Sequence, residues 1–150
     1  MLNIFHAIQH ERFFELPDAD KSGVLEFLAQ RIGDVSCAGV VEEIQQREQE
    51  FNTGIGGGVA VPHVRTIGGD GEIRCVVGWS AQGIDYGAVD GRPVHLIVMY
   101  YIPDLQRDAY LKEIAGLVKM LVRHDIFTAL AVVPDLAAAR CLLLSWEGNR

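Results

Sequence analysis

The sequence is short of cysteine, and what it has is poorly placed for cross-linking. Cys37, Cys75 and Cys141 form an odd, widely spaced set with no C-x-x-C pair, so neither a disulfide framework nor a zinc site is indicated, and buried reduced thiols are expected. Long hydrophobic runs are missing too. No apolar stretch reaches about eighteen residues, and Met1 to Gln9 has no basic segment with an apolar one behind it, so neither a membrane-spanning helix nor a secretory leader is expected. The expectation is a cytoplasmic protein with no direct membrane insertion. Basic charge is scarce: 13 Lys and Arg against 20 Asp and Glu leave a net charge of −7. That is the wrong sign for a sequence-independent nucleic-acid surface; it suits solubility or a basic protein partner. No repeat, low-complexity tract or linker interrupts the chain. Its 150 residues, 49% of them apolar, predict one domain spanning 1–150 around one core.

What is present is an alternation of helical and extended patterns. Leu2, Ile4, Phe5 and Ile8 recur at near-helical spacing, and Phe13, Phe14 and Leu16 then form an extended arm before Pro17. Asp18 or Asp20 caps a helix carrying Leu25, Leu28 and Ile32, with Gly33 as its stop. A second helix runs from Ala38 to Glu50 and ends in polar residues that include Arg47. Residues 66–71 read as a flexible turn, Ile73 to Ser80 as a strand, and Gly83 to Gly91 as a turn-rich connection. Pro93 to Ile102 is a nearly continuous apolar strand, and a strand apolar on both sides implies helices on both faces of its sheet. A long helix from Leu105 to His124 is predicted to bury Leu111, Ile114, Ala115, Val118, Leu121 and Val122. A short helical connection covers 125–133, and Asp135 opens a last helix ending near Trp146, whose apolar residues serve the core or a homodimer contact. The pattern predicts an α/β (α+β) domain.

The stretch Thr53-Gly54-Ile55-Gly56-Gly57-Gly58-Val59-Ala60-Val61-Pro62-His63 holds the candidate chemistry. Four glycines in five positions permit positive φ and close approach to a ligand, and the N–H groups of Gly56, Gly57 and Gly58 are candidate anion donors. The stretch lacks the Lys-Ser/Thr pair of a P-loop, and a β-branched, proline-stopped segment follows the glycines where a dinucleotide motif would open a helix. Pro62 holds Val61 extended, so His63 leaves the end of that short strand in a preset direction. By spacing alone, a tight turn before a core strand explains the stretch equally well. Arg47 either reaches back from its helix end toward His63 or pairs with Glu43 or Glu50 at helical spacing. His95 on the apolar strand is read as satisfied by a backbone carbonyl, and Asp85 and Asp90 as turn-makers rather than an acid/base pair or metal ligands. His6, His10 and His124 have no motif around them.

The run Gly54-Ile55-Gly56-x-Gly58-Val59-Ala60-Val61-Pro62-His63, with Arg47-Glu48 upstream, resembles the active-site signature of the enzyme IIA component, fructose/mannitol/nitrogen-regulatory type, of the PEP-dependent phosphotransferase system. The resemblance extends over nearly the whole chain, through a helix starting near Lys21, the block Gly83 to Val94 and the segment Tyr110-Leu111-Lys112-Glu113-Ile114-Ala115. It implies a mixed sheet sandwiched between helices, and a phosphoryl group accepted on His63 from the phosphocarrier HPr beside Arg47. The group would then pass to a sugar-specific IIB partner or act as a regulatory signal. No cofactor and no metal are expected. The family usually carries a second active-site histidine where this chain has Tyr110. A phenol offers one donor there but cannot take up positive charge. Two expectations follow: a phosphohistidine carrier built on His63, Arg47 and Tyr110, or a weakly phosphorylated regulatory module that docks on a target protein.

Overall fold

A computed structural model of the chain describes residues 2–32, 37–66 and 71–147, with the backbone alone for residues 37 and 38. The expected stop at Gly33 and most of the turn at 66–71 lie outside the described residues.

The elements follow the sequence pattern closely. Helix α1 (Asn3–Gln9) leads into strand β1 (Phe13–Glu15), then α2 (Lys21–Ala29) and α3 (Cys37–Glu50). Three short strands come next, β2 (Gly54–Gly56), β3 (Val59–Ala60) and β4 (His63–Thr66), and then two long ones, β5 (Arg74–Ile84) and β6 (Val94–Pro103). Helices α4 (Arg107–Arg123), α5 (Ile126–Val132) and α6 (Leu136–Ser145) close the chain. Aspartate caps start three of the helices: Asp20 accepts from the Gly23 N–H, Asp125 from Thr128 and Asp135 from Ala138, each satisfying an N–H with no partner inside its helix.

The six strands form one mixed sheet in the order β1-β5-β6-β3-β2, with β4 following β3 along the same edge of β6. β5 and β6 pair antiparallel as a long hairpin, whereas β1 runs parallel to β5, and β3 and β4 run parallel to β6. Both faces of β6 are buried. Leu96, Val98 and Tyr100 face a core built with α1, α4, α5 and α6, and Ile97 and Met99 face one built with α2 and α3. This is the mixed sheet between helices that a doubly apolar strand requires.

Three expectations need correction. Cys75 is buried, but Cys141 is exposed on α6, because Ala139 and Leu143 take the inward positions of that helix. β5 extends to Ile84, so Gly83 lies within a strand and the connection to β6 is shorter than predicted. Helix α4 is rotated from the predicted face: Tyr110, Glu113, Leu117 and Met120 point inward and Ile114 and Leu121 of the predicted face pack at the edge of the core, while Leu111, Val118 and Val122 are exposed. The inward stripe includes the charged Glu113. Its carboxylate accepts hydrogen bonds from the N–H groups of Asn3 (2.8 Å) and Ile4 (3.4 Å), the Asn3 side chain (3.1 Å) and the Tyr100 hydroxyl (2.8 Å). A buried carboxylate is tolerated when charge-assisted donors surround it, and here they include the start of α1.

Candidate functional site

His63 opens β4 rather than ending an apolar strand as the sequence suggested. β3 runs beside Leu96 and Ile97 of β6, the chain leaves the ladder at Val61-Pro62, and β4 rejoins it with His63 opposite Tyr100. Proline has no N–H for a ladder and so interrupts one. Its carbonyl still accepts from the Tyr100 N–H (3.0 Å), while the Val61 N–H turns to the Thr53 carbonyl (3.0 Å). This jog frees the Val61 carbonyl, and the Nδ1 of His63 lies 3.3 Å from it. A carbonyl only accepts, so that contact places the proton on Nδ1 and leaves the lone pair on Nε2.

The half-buried imidazole is less basic than a free histidine. Burial is the main cause, the Arg47 and Arg65 charges add to it, and the Val61 carbonyl and the Glu48 charge work against it. Tyr110 packs on the ring, with centroids 5.6 Å apart, and Tyr100 packs edge-on behind Tyr110 at 5.5 Å. Burial pushes the Tyr110 hydroxyl up to about 12, with Arg65 pulling the other way, so it remains a neutral O–H at physiological pH. The late helix thus brings residue 110 to His63.

Arg47 stands on the last turn of α3 and contacts Glu43, Nε to Oε1 3.4 Å, with both side chains about four-tenths exposed. An exposed pair one helical turn apart is worth about 0.3–0.5 kcal/mol, so the guanidinium can be drawn to a stronger anion at little cost. Its charge already acts on His63. Arg65 is the residue the sequence reading missed. It lies two positions beyond His63 on β4, hence on the same side of the strand, and its charge acts on both His63 and Tyr110. Strand alternation from His63 was the signal that would have found it.

The glycine loop is not brought to the imidazole. Gly56, Gly57 and Gly58 have φ of 90°, 65° and 82°, but Val59 pairs with Leu96 whereas His63 pairs with Tyr100. The separation along β6 is about 13 Å at the rise of a strand. The Gly57 N–H is given to the Asp90 carboxylate (2.9 Å), and the Gly58 carbonyl accepts from His95 and Leu96. A Cβ at Gly58 would stand 3.1 Å from the Phe127 ring, so the glycines permit a left-handed turn packed against α5. The phosphoryl-contacting role expected for Gly56, Gly57 and Gly58 rests on the sequence reading alone. Asp90 is the turn-maker expected of it, accepting also from the Arg92 N–H (3.1 Å). His95 is buried with Nδ1 2.7 Å from the Ser80 carbonyl, as expected for a core histidine. Among the described residues no group of three or more His, Cys, Asp or Glu is placed to hold a metal ion, and no helix is long and apolar enough to cross a membrane.

The chain is similar to known proteins. The chain is 32% identical over 120 residues to a fructose-specific EIIA component of the PTS from Haloferax volcanii, covering 75% of each chain. The crystal structure of the nitrogen regulatory protein IIA-Ntr from Neisseria meningitidis superimposes with a TM-score of 0.78 at 24% identity, over 93% of this chain and 98% of that one. Enzyme IIA mannitol from Escherichia coli, in its complex with phosphorylated enzyme IIB mannitol, superimposes with a TM-score of 0.65 at 17% identity, over 93% and 96% of the two chains. The family model for the phosphoenolpyruvate-dependent sugar phosphotransferase system, EIIA 2, matches residues 8–144. A proline-directed imidazole on a mixed sheet, and a match that spans almost the whole chain, have one reading: this chain belongs to the PTS EIIA 2 family.

Proposed function

We propose that the protein is a phosphohistidine carrier in which Nε2 of His63 accepts a phosphoryl group from an HPr-like phosphocarrier. The observation that carries this reading is the contact of His63 Nδ1 with the Val61 carbonyl, which commits the lone pair to the other nitrogen. In the transfer, that lone pair forms the new N–P bond while the donor's own bond to phosphorus breaks and its electron pair returns to the donor. The ring then bears a proton on Nδ1 and the phosphoryl group on Nε2, a cation favoured by the Val61 carbonyl and the Glu48 charge, both of which raise the basicity of His63. Phosphoryl transfer needs positioning and neutralisation of the equatorial oxygens more than a strong base. Arg47, released from Glu43, and Arg65 supply the positive charge, and the neutral Tyr110 hydroxyl supplies a donor. Passage to a IIB-type acceptor is supported by the E. coli mannitol relative, which is found with phosphorylated IIB.

The second reading, a regulatory module that docks on a target protein and is phosphorylated weakly, draws on two features: the phenol of Tyr110, and the exposed Leu111, Val118 and Val122 on α4. One experiment separates the two. After incubation with PEP, enzyme I and HPr, the parent should acquire acid-labile phosphate and His63→Ala should acquire none, with an unchanged circular dichroism spectrum. Equal labelling of the two would move the acceptor elsewhere, and an unlabelled parent would favour the docking module.

A further inference from the structure

We infer that Glu48 is a positioning residue for His63, holding the imidazole in its Nδ1–H tautomer through the backbone of two intervening residues; the role rests on the reading of His63 as phosphoryl acceptor. Glu48 sits at the end of α3, and its side chain is 4% exposed. Its carboxylate takes up four donors. Lys21 Nζ at the start of α2 lies 2.8 Å away, the Tyr86 hydroxyl 3.0 Å and the Thr53 N–H 3.2 Å, and the Thr53 hydroxyl completes the set. Thr53 is thereby held at both its N–H and its side chain, and its hydroxyl also meets that of Tyr86 at 2.8 Å. Thr53, so fixed, presents its carbonyl to the Val61 N–H (3.0 Å), and the Val61 carbonyl in turn receives His63 Nδ1 (3.3 Å).

The series is continuous: carboxylate, Thr53, Val61, imidazole. Its weakest contact is the last, where a shift of a few tenths of an ångström at Val61 would lose the bond that selects the tautomer. Because Val61 lies on the jog between β3 and β4, outside the ladder, Thr53 is what holds its N–H. An imidazole in the other tautomer points a proton, not a lone pair, at the incoming phosphorus. The negative charge of Glu48 also favours the phosphorylated ring once it carries a positive charge.

The test reads the tautomer directly. Nitrogen-15 spectra of His63 in the unphosphorylated protein, above the pH at which the ring protonates, should show Nδ1 as the protonated nitrogen and Nε2 as the bare one. Glu48→Gln, which leaves the carboxylate's shape but removes its charge and one acceptor, should shift Nε2 toward the protonated range. It should also slow labelling about tenfold or more, the direction known for a group that keeps a catalytic imidazole in its working tautomer. If Glu48→Gln does not fold, Thr53→Val takes its place. That change removes the hydroxyl from the series without uncovering a charge and should move Nε2 the same way, whereas Thr53→Ser should restore the parent spectrum. Folded variants that keep the parent tautomer would overturn the inference and leave Glu48 as an anchor of α3 alone. A parent that takes up no phosphate would sink the acceptor reading, while the tautomer result would still decide the positioning role.

Discussion

His63 is neutral at physiological pH because burial and two nearby guanidinium groups oppose its protonation. The sign of the pH dependence follows. On the proposal that His63 is the phosphoryl acceptor, the nucleophile is the unprotonated ring, so the initial rate of phosphoryl uptake should be flat above about pH 6.5, the ordinary value for histidine, and should fall below it with a midpoint lower than that. Rates measured across this range with donor in excess check it; a midpoint above the ordinary value would mean that Glu48 and the Val61 carbonyl outweigh the burial. Stability carries the matching sign, since the unfolded chain binds the proton more tightly: the contribution is full above about pH 6.5 and is lost as pH falls toward the folded value. Tyr110 is the residue on which the two functional readings divide. With its ring 5.6 Å from that of His63, Tyr110→Phe should slow labelling if the hydroxyl donates to the phosphoryl group, and Tyr110→His should match or exceed the parent. Equal rates for all three would make residue 110 a packing residue. The direction of the chain at His63 was legible in the sequence because proline presets it, but the choice of His63 over a plain turn came through the resemblance. The place of Tyr110 came only through the resemblance, for no local pattern tells which side chain a distant helix brings to a strand. Arg65 went unseen because the motif stopped at the histidine, although alternation along a strand already put both on one side.

At the scale of elements, β6 and α4 show what hydropathy can and cannot decide. β6 was read correctly because every position from Val94 to Met99 is buried, which makes the choice of face irrelevant. α4 offers two stripes, and the more apolar one points outward. Its inward stripe carries Glu113, whose burial depends on donors from Asn3, Ile4 and Tyr100, and no window of sequence around α4 contains them. The rotated face makes a direct prediction. Leu117 is fully buried and Val122 is 82% exposed, so Leu117→Ala should cost about 2–5 kcal/mol in chemical denaturation. Val122→Ala should change stability by no more than about 0.5 kcal/mol. The opposite order would restore the face read from the sequence. The glycine loop teaches the complementary lesson: its positive φ values were foreseeable from composition, but glycine spacing says where the backbone turns and nothing about what lies opposite. Here that is Asp90 and Phe127.

For the whole molecule, the pairing pattern sets an order of assembly. β5 and β6 are neighbours in sequence and join as an antiparallel hairpin, with Val77 opposite Val98, whereas β1 and β4 must come from far along the chain to run parallel to them. Distant pairings close large loops before they gain contacts, which delays them. Val98 in the hairpin and Val64 in β4 are both buried, so truncation separates early from late structure. Val98→Ala should mainly slow refolding, and Val64→Ala should mainly speed unfolding, as stopped-flow chevrons would read. Equal effects on both arms would mean that the sheet forms all at once. The jog at Val61-Pro62 adds a consequence. His63 gains its neighbours Tyr100 and Tyr110 only when β4 docks on β6, so on the proposed function a nascent or half-assembled chain has the imidazole without the surroundings of the acceptor. If His63 is the acceptor, phosphate uptake would thus report assembled molecules alone.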